Sequence, residues 1–422
     1  MDALLAAGDG TSDDGPRLQA TIDDCKAAGG GAVVLHSGEF LVGSAIEVPQ
    51  DVSLRGSGKT ETTLRLTAPE ARISFNRYDP EVIYGNRRGG SCSGFEIDGG
   101  GLATLCMDVQ SVNREFRDFR VIDPAASGTA LRCYAAQNCR FYSFDLAAPT
   151  GGGPSGTSGL VIDASSGGLS FDGFSTDEFT AAHVKIDQSL PAPVNDVGLA
   201  EPTHIRFTNF MIERGPSSTL LVWVRAGSDI WFEGGDLALL SPTATAPYEI
   251  VRVERSAASG STRDVTFRDF VVNGTEPHAR GFDLNGMGIY TRLDNGTFKN
   301  CGAGVSIDSG HYCRMERCTF PSTAIPSEGT GSPNLENVAA AVAMEIDEFI
   351  DCWNVIGFAA ISTIAPTYAG HRITLRFTGT ASVNVLGNIR LSNPSPPTAG
   401  SNDILSLICD GTNWLETGRG VN

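Results

Sequence analysis

No stretch of the 422 residues strings together the roughly 18 to 20 apolar side chains that a bilayer-crossing helix needs, so insertion into a membrane is not expected. Positive charge is scarce: 31 Lys and Arg stand against 49 Asp and Glu, a net charge of −18. So acidic a chain repels phosphate backbones and anionic lipid, which excludes nucleic acid and membrane surfaces as general partners. A strongly polyanionic substrate would need a local basic groove. The opening "MDALLAAGDG" has neither a basic n-region nor a full apolar h-region, so no signal peptide is visible. An intracellular product, a virion part assembled in the cytosol or a trimmed piece is expected. The 10 cysteines form no Cys-x-x-Cys pair. They are expected to be buried free thiols, with some disulfide as the alternative and metal binding disfavoured. No Asp-rich calcium loop occurs, so no metal site is assigned and no cofactor is expected.

At 41% hydrophobic and 19% charged, the chain can bury a sizeable core, and its 50 glycines make it rich in turns. One pattern recurs. "HIRFTNFMIE" (204–213) shares a Phe-x-x-Phe core with "REFRDFRV" (114–121), "CRFYSFDL" (139–146), "LSFDGFST" (169–176) and "VTFRDFVV" (265–272). Two residues after the first Phe stands Asp118, Ser143, Gly173, Asn209 or Asp269, each tolerant of a left-handed backbone, amid Val, Ile, Thr and Phe, which favour strands. In a flat strand, positions three apart face opposite sides. Both rings can point inward only if the chain turns a corner between them. Each copy therefore reads as strand, bend, strand. Anchors at Phe95, Phe116, Phe141, Phe171, Phe207, Phe232, Phe267, Leu293, Met315, Ile346 and Leu375 recur at intervals from 21 to 36 residues. A fixed minimum with variable excess predicts an all-β solenoid, a parallel β-helix whose coils carry loops of different length.

"DDGPRLQATIDDCKAAGGG" (13–31) predicts a short capping helix. Asp13 or Asp14 would be its N-cap, Pro16 lies in its first turn, Leu18, Ile22 and Cys25 form its apolar stripe, and Gly29 to Gly31 stop it. The whole opening "GDGTSDDGPRLQATIDDCKAAGGGAVVLHSGEFLVGSAIEVPQDVSLRGSG" (8–58) resembles the start of the pectate-lyase-like β-helix superfamily: an acidic GDG-x-x-DD segment, a capping helix, a glycine-rich link and a first coil ending in L-R-G-x-G. That group holds polysaccharide lyases, polygalacturonase-type hydrolases, uronan epimerases and phage tailspikes. The resemblance implies a right-handed parallel β-helix and a polysaccharide substrate, but no specific chemistry. The end of the chain, with "ILSLICDGTNWLE" (404–416), is similar to the C-terminal β module of bacteriophage tailspikes, which implies a homotrimer, attachment to virion tail proteins and a place on the phage tail or outside the cell. The expected organisation is capping helix and first coil at 1–50, β-helix at 51–365 and C-terminal β module at 366–422. No tail-attachment domain precedes the helix, so the chain is expected to be a fragment or to attach otherwise.

Six residues after the anchors Phe171, Phe207 and Phe267 stand Asp177, Glu213 and Asn273. If register holds, Asp177 and Glu213 lie on neighbouring coils about one strand spacing, roughly 5 Å, apart. That is near the carboxylate separation for retaining glycoside hydrolysis, while a skewed or one-coil-removed pair would suit inversion. "VWVRAGSDIWFEGGD" (222–236) adds Trp223 and Trp231 as sugar-stacking rings, Arg225 and Glu233 as substrate contacts and Asp236 as a further catalytic carboxylate. The expected activity is therefore that of a tailspike-like depolymerase cleaving a bacterial surface glycan with a carboxylate pair. Two alternatives stay open: a uronate lyase using His278 or His311 with nearby arginines, and a spike that only binds glycan. The polygalacturonase set NTD, DD, GHG and RIK is missing, as are the W-I-D-H and R-x-P-x-x-R patterns of pectate lyases. "EPHAR" (276–280) also differs from the epimerase D-P-H-E.

Overall fold

The structure is a computed structural model describing residues 7–76, 90–149, 155–190, 201–214, 220–239, 248–254, 262–274, 279–285, 289–307, 311–321, 323, 325–329, 336–339, 343–344, 352–356, 360–366, 369–377, 382–383, 387–392 and 403–420. The chain divides into two compact units, 1–311 with 316–328, and 312–315 with 329–422. The first winds as a right-handed parallel β-helix with two walls. One wall stacks, among others, Ser91–Asp98, Glu115–Ile122, Arg140–Ala147, Thr203–Thr208, Gly227–Leu239 and Thr262–Asn273, all parallel. The other stacks Leu105–Gln110, Thr129–Cys133, Ser158–Ile162, Ala182–Ile186, Val222–Val224, Tyr248–Val253 and Ala279–Leu284. Each coil contributes one strand to each wall, so equivalent side chains form files along the solenoid.

The repeated rings fill the centre. Phe116, Phe141, Phe171, Phe207, Phe232, Phe267 and Leu293 follow one another in register. The rings from Phe116 to Phe267 stack with centroids 4.4–5.0 Å apart, all fully buried. Phe95 departs from the expected alignment: it pairs with Phe119, the second ring of its neighbour, and Cys92 takes the first position. A second file runs through Phe119, Phe144, Phe174 and Phe210. Where it would continue, Gly235 and Gly296 stand instead. A Cβ at Gly235 would fall 2.3 Å from the Phe210 ring, and one at Gly296 2.2 Å from that of Phe270, so each glycine makes room for the ring of the coil before it.

The corner between the two rings is a file of left-handed residues: Asp118, Ser143, Gly173, Asn209, Gly234, Asp269 and Asn295, with φ between 50° and 67°. This is the conformation in which a Cβ crowds the backbone, and Asn, Asp and Gly tolerate it best. Asn209→Ala is expected to cost about 1–2 kcal/mol, while Asn209→Gly stays within a few tenths, both read from urea midpoints.

The helix Gly15–Ala27 covers the first coil with Leu18, Ile22 and Cys25 buried. Asp14 occupies its N-cap position without capping it through its side chain. Its buried carboxylate instead accepts the amides of Ala7 (2.7 Å) and Gly8 (3.2 Å), pinning the incoming chain. Asp13 takes the Gly15 amide (3.0 Å). The nine cysteines described at side-chain level are free, and eight are buried. Burial pushes the thiols of Cys139 and Cys301 up to about 11, which leaves them unreactive at neutral pH.

In the second unit, Glu336–Ala339, Cys352–Ile356 and Arg372–Phe377 still pair in parallel. Antiparallel pairing then begins, with Asp403–Cys409 against Arg372–Phe377 and Trp414–Gly420 against Asp403–Cys409. Val355, Leu375, Leu405, Leu407 and Trp414 close its core.

Candidate functional site

Beyond the left-handed corner, each coil of the first wall runs on as a short second limb whose outward side chains form two files. Ser175 pairs with Met211 and Thr176 with Ile212, so the next residues in that register are Asp177 and Glu213. Ala147 precedes them, paired to Asp177, while Ala238 and Asn273 follow, Ala238 paired to Glu213. The file therefore reads Ala147, Asp177, Glu213, Ala238, Asn273, with the two carboxylates bracketed by alanines. Asp236 lies in the adjoining file, paired with Met211 and Val271, one position diagonal to Glu213. Inward-facing Ile212 and Leu237 anchor these strands in the core and fix which way the acids point.

The expected group is thus partly assembled. Asp177, Glu213, Asp236 and Asn273 share one face, with Met211, exposed at 44%, among them. One coil back, Asp145 belongs to the same surface but is held by Lys59 (2.7 Å) and the Ser175 hydroxyl (2.8 Å). Trp231 and Glu233 lie before the corner on the first limb, Trp231 donating to Asp229 (2.6 Å) and Glu233 ion-paired with Arg206 (2.5 Å). Trp223 and Arg225 stand on the other wall, because the chain changes wall at Ala226–Gly227 between the two tryptophans. There the Trp223 indole donates to Glu254 (3.0 Å), and its ring meets the cations of Lys185 (5.2 Å) and Arg225 (4.7 Å). Arg225 also bridges Asp187 (3.0 Å) and Glu254 (3.2 Å). This ion network lies on the other wall, and the structure does not bring it together with the acids.

Of the two histidines considered for elimination chemistry, His278 lies outside the described residues. His311 is buried, its Nε2 2.9 Å from the Thr291 hydroxyl, and burial drives its pKa down to about 3. An interior neutral imidazole cannot serve a surface groove. Asp172, which the sequence reading passed over, faces outward in the file of Tyr142, Thr208 and Glu233. Its signal was available: it directly follows the anchor Phe171, and the residue after an inward ring points out.

Burial raises the Asp177 carboxyl above the ordinary carboxylate range, opposed by a hydrogen bond from the Glu178 amide. The folded chain therefore holds this proton to higher pH than the unfolded chain, whose Asp titrates near about 3.9. Stability from this group is complete below that value and is lost as pH rises through the folded pKa. Asp177→Asn should remove the loss, so the variant's Tm rises relative to the parent's as pH is raised through the weakly acidic range.

Residues 4–192 match the family described as rhamnogalacturonase A/epimerase, pectate lyase-like. The mannuronan C5-epimerase AlgE4 of Azotobacter vinelandii is 44% identical over 68 residues, a segment that is 14% of this chain and only 12% of that enzyme. The solved A-module of AlgE4 superposes with a TM-score of 0.54 at 16% identity, covering 78% of this chain and 99% of the module. The tailspike protein of E. coli bacteriophage HK620, solved with a pentasaccharide, gives 0.56 at 11% identity over 89% of this chain and 77% of that one. The catalytic unit of the GH87 alpha-1,3-glucanase of Streptomyces thermodiastaticus gives 0.53 at 15% identity, covering 79% and 66%. At these identities the structural likenesses establish the fold alone. Stacked rings, left-handed corners and an N-terminal cap make the chain a right-handed parallel β-helix protein, and its residues 4–192 match the pectate-lyase-like family.

Proposed function

We propose that this protein binds and cleaves a bacterial surface polysaccharide by glycoside hydrolysis, with Asp177 and Glu213 as the catalytic pair. The observation that supports the reading is strand register: Ser175 pairs with Met211 and Thr176 with Ile212, so Asp177 and Glu213 come next on adjacent coils whose backbones lie about one strand spacing (roughly 4.8 Å) apart. Retaining hydrolysis uses carboxyl groups about 5–5.5 Å apart. Asp177, whose proton burial helps to retain, protonates the departing glycosidic oxygen while Glu213 attacks the anomeric carbon. Asp177, now ionised, takes a proton from water, and that water breaks the glycosyl ester and frees Glu213. Asn273 and the exposed Met211 contact flanking sugar, and Asp236 adds negative charge beside the developing oxocarbenium ion. Likenesses to a tailspike bound to a pentasaccharide and to a glucanase support a glycan substrate.

Incubation with a panel of purified capsular and O-antigen polysaccharides, with the released ends identified by mass spectrometry, tests the reading. Hydrolysis leaves a saturated reducing end. An unsaturated uronate end would identify a lyase, and no release from any host glycan would leave a spike that only binds. In keeping with the tailspike likeness, we assign the protein to a phage tail or another extracellular setting, as a homotrimer joined through residues 366–422. Light scattering on the purified chain should return three times the 44.4 kDa protomer mass.

A further inference from the structure

An open groove lies across the left-handed corner of the first wall, lined by Tyr142, Asp172, Arg206, Asn209, Glu233 and Asp269. Its shape has a cause in the sequence. The corner file alternates Gly173, Asn209, Gly234 and Asp269, so two coils lack the side chain that their neighbours raise at this point. The lining carboxylates are held in place by donors on the next coil or the one before. One Asp172 oxygen accepts the Thr208 hydroxyl (2.7 Å) and the Asn209 amide (2.8 Å). Glu233 is held by Arg206 (2.5 Å), and one Asp269 oxygen by the Asn295 amide (2.6 Å). Among the described residues no donor meets the second oxygen of any of the three, which leaves it to a ligand. Arg268, next in file after Glu233, turns instead to the buried Asp294 (3.4 Å), which Arg317 also binds (2.6 Å), so it does not neutralise the groove.

We infer that this groove is a saccharide-binding site separate from the Asp177–Glu213 pair, and that it selects uncharged hexopyranose units over uronates. Three carboxylates against one guanidinium leave the lining net negative. Its pre-set acceptors suit the vicinal hydroxyls of a neutral sugar and repel a sugar carboxylate. Tyr142, with Trp231 in the adjoining file, supplies ring surface for the apolar face of the sugar. The inference rests on the reading of the protein as glycan-binding and not on the hydrolytic step.

The test is calorimetry on the full chain with short neutral oligomers of glucose, galactose, mannose and N-acetylglucosamine, set beside galacturonate and mannuronate oligomers of equal length. At least one neutral oligomer should bind, and the uronates should bind at least about tenfold more weakly. Gly234→Asn fills the groove with the residue that the fold already accepts at Asn209 and Asn295. It should weaken binding of the neutral oligomer about tenfold or more with the circular dichroism spectrum retained. Glu233→Ala, at a half-buried surface position, should do the same and serves if Gly234→Asn fails to fold. Uronates bound as tightly as neutral sugars, no neutral oligomer bound, or unchanged affinity in a folded Gly234→Asn or Glu233→Ala chain would each overturn the inference. Because binding is measured without turnover, failure of the catalytic pair is told apart: it would appear as unaltered cleavage in Asp177→Asn and Glu213→Gln, whatever the groove does.

Discussion

Glu213→Gln is expected to lower glycan cleavage by about 10³-fold or more, and Asp177→Asn by about 10²- to 10⁴-fold, with substrate affinity nearly unchanged. The two losses differ in origin. In the roles proposed, the Glu213→Gln chain keeps the size of the side chain and loses the nucleophile, so bond making should fail for every substrate. The Asp177→Asn chain would lose only the proposed proton donor, so its defect should shrink for substrates whose leaving group departs without one, such as nitrophenyl glycosides of the cleaved sugar. Loss of the donor should also flatten the alkaline limb of the pH–rate profile, because burial keeps the Asp177 carboxyl protonated above the usual range and rate falls as pH rises through that value. Asp236→Asn, one position diagonal, should cost less than either. Full activity in both Asp177→Asn and Glu213→Gln would place the chemistry elsewhere.

Truncating the ring stack should produce the largest loss of stability. Phe207 is fully buried and sits between Phe171 (5.0 Å) and Phe232 (4.4 Å), with Phe174 tilted beside it (6.0 Å). Phe207→Ala is expected to cost about 3–5 kcal/mol, since the neighbouring coils are tied by backbone pairing and cannot collapse into the void. Each stacked pair lost adds to the area term. Phe207→Leu, which keeps most of the volume, should cost markedly less. Urea denaturation followed by tryptophan fluorescence would measure both, and a Phe207→Ala chain within about 1 kcal/mol of the parent would contradict a tightly packed centre. Coils of a solenoid need not unfold together, so the midpoint is the quantity to compare.

Much of this architecture was legible because the bend residue and the two rings constrain one another. A turn former between phenylalanines three apart has one economical explanation, and Asn209, Ser143 and Asp269 adopt it. The misplacement of Phe95 shows where that logic thins. With cysteine in the first ring position, the pattern offered a single phenylalanine, and only Gly94 directly before it marks Phe95 as the second. The candidate site divides in the same way. Asp177 and Glu213 could be aligned by counting from an anchor within one wall. Trp223 and Trp231 could not be separated by counting, since the corner at Gly227 that sends them to different walls is one glycine among 50. Asp172 lay in plain view directly after an anchor, but the neighbours that give it a role come from the coils on either side, far off in the chain.

The varying stretch of chain between anchors has an evolutionary consequence. From Phe171 to Phe207 the chain spends 36 residues, from Phe207 to Phe232 only 25, yet both steps advance the solenoid by one layer. Insertions between walls can therefore accumulate without shifting the register of Asp177, Glu213 or Asp236. Excising a full layer is a different kind of change: removing the residues from Phe207 up to Phe232 would bring Phe171 into register with Phe232 and Asp177 with Ala238, taking Glu213 out of the proposed pair.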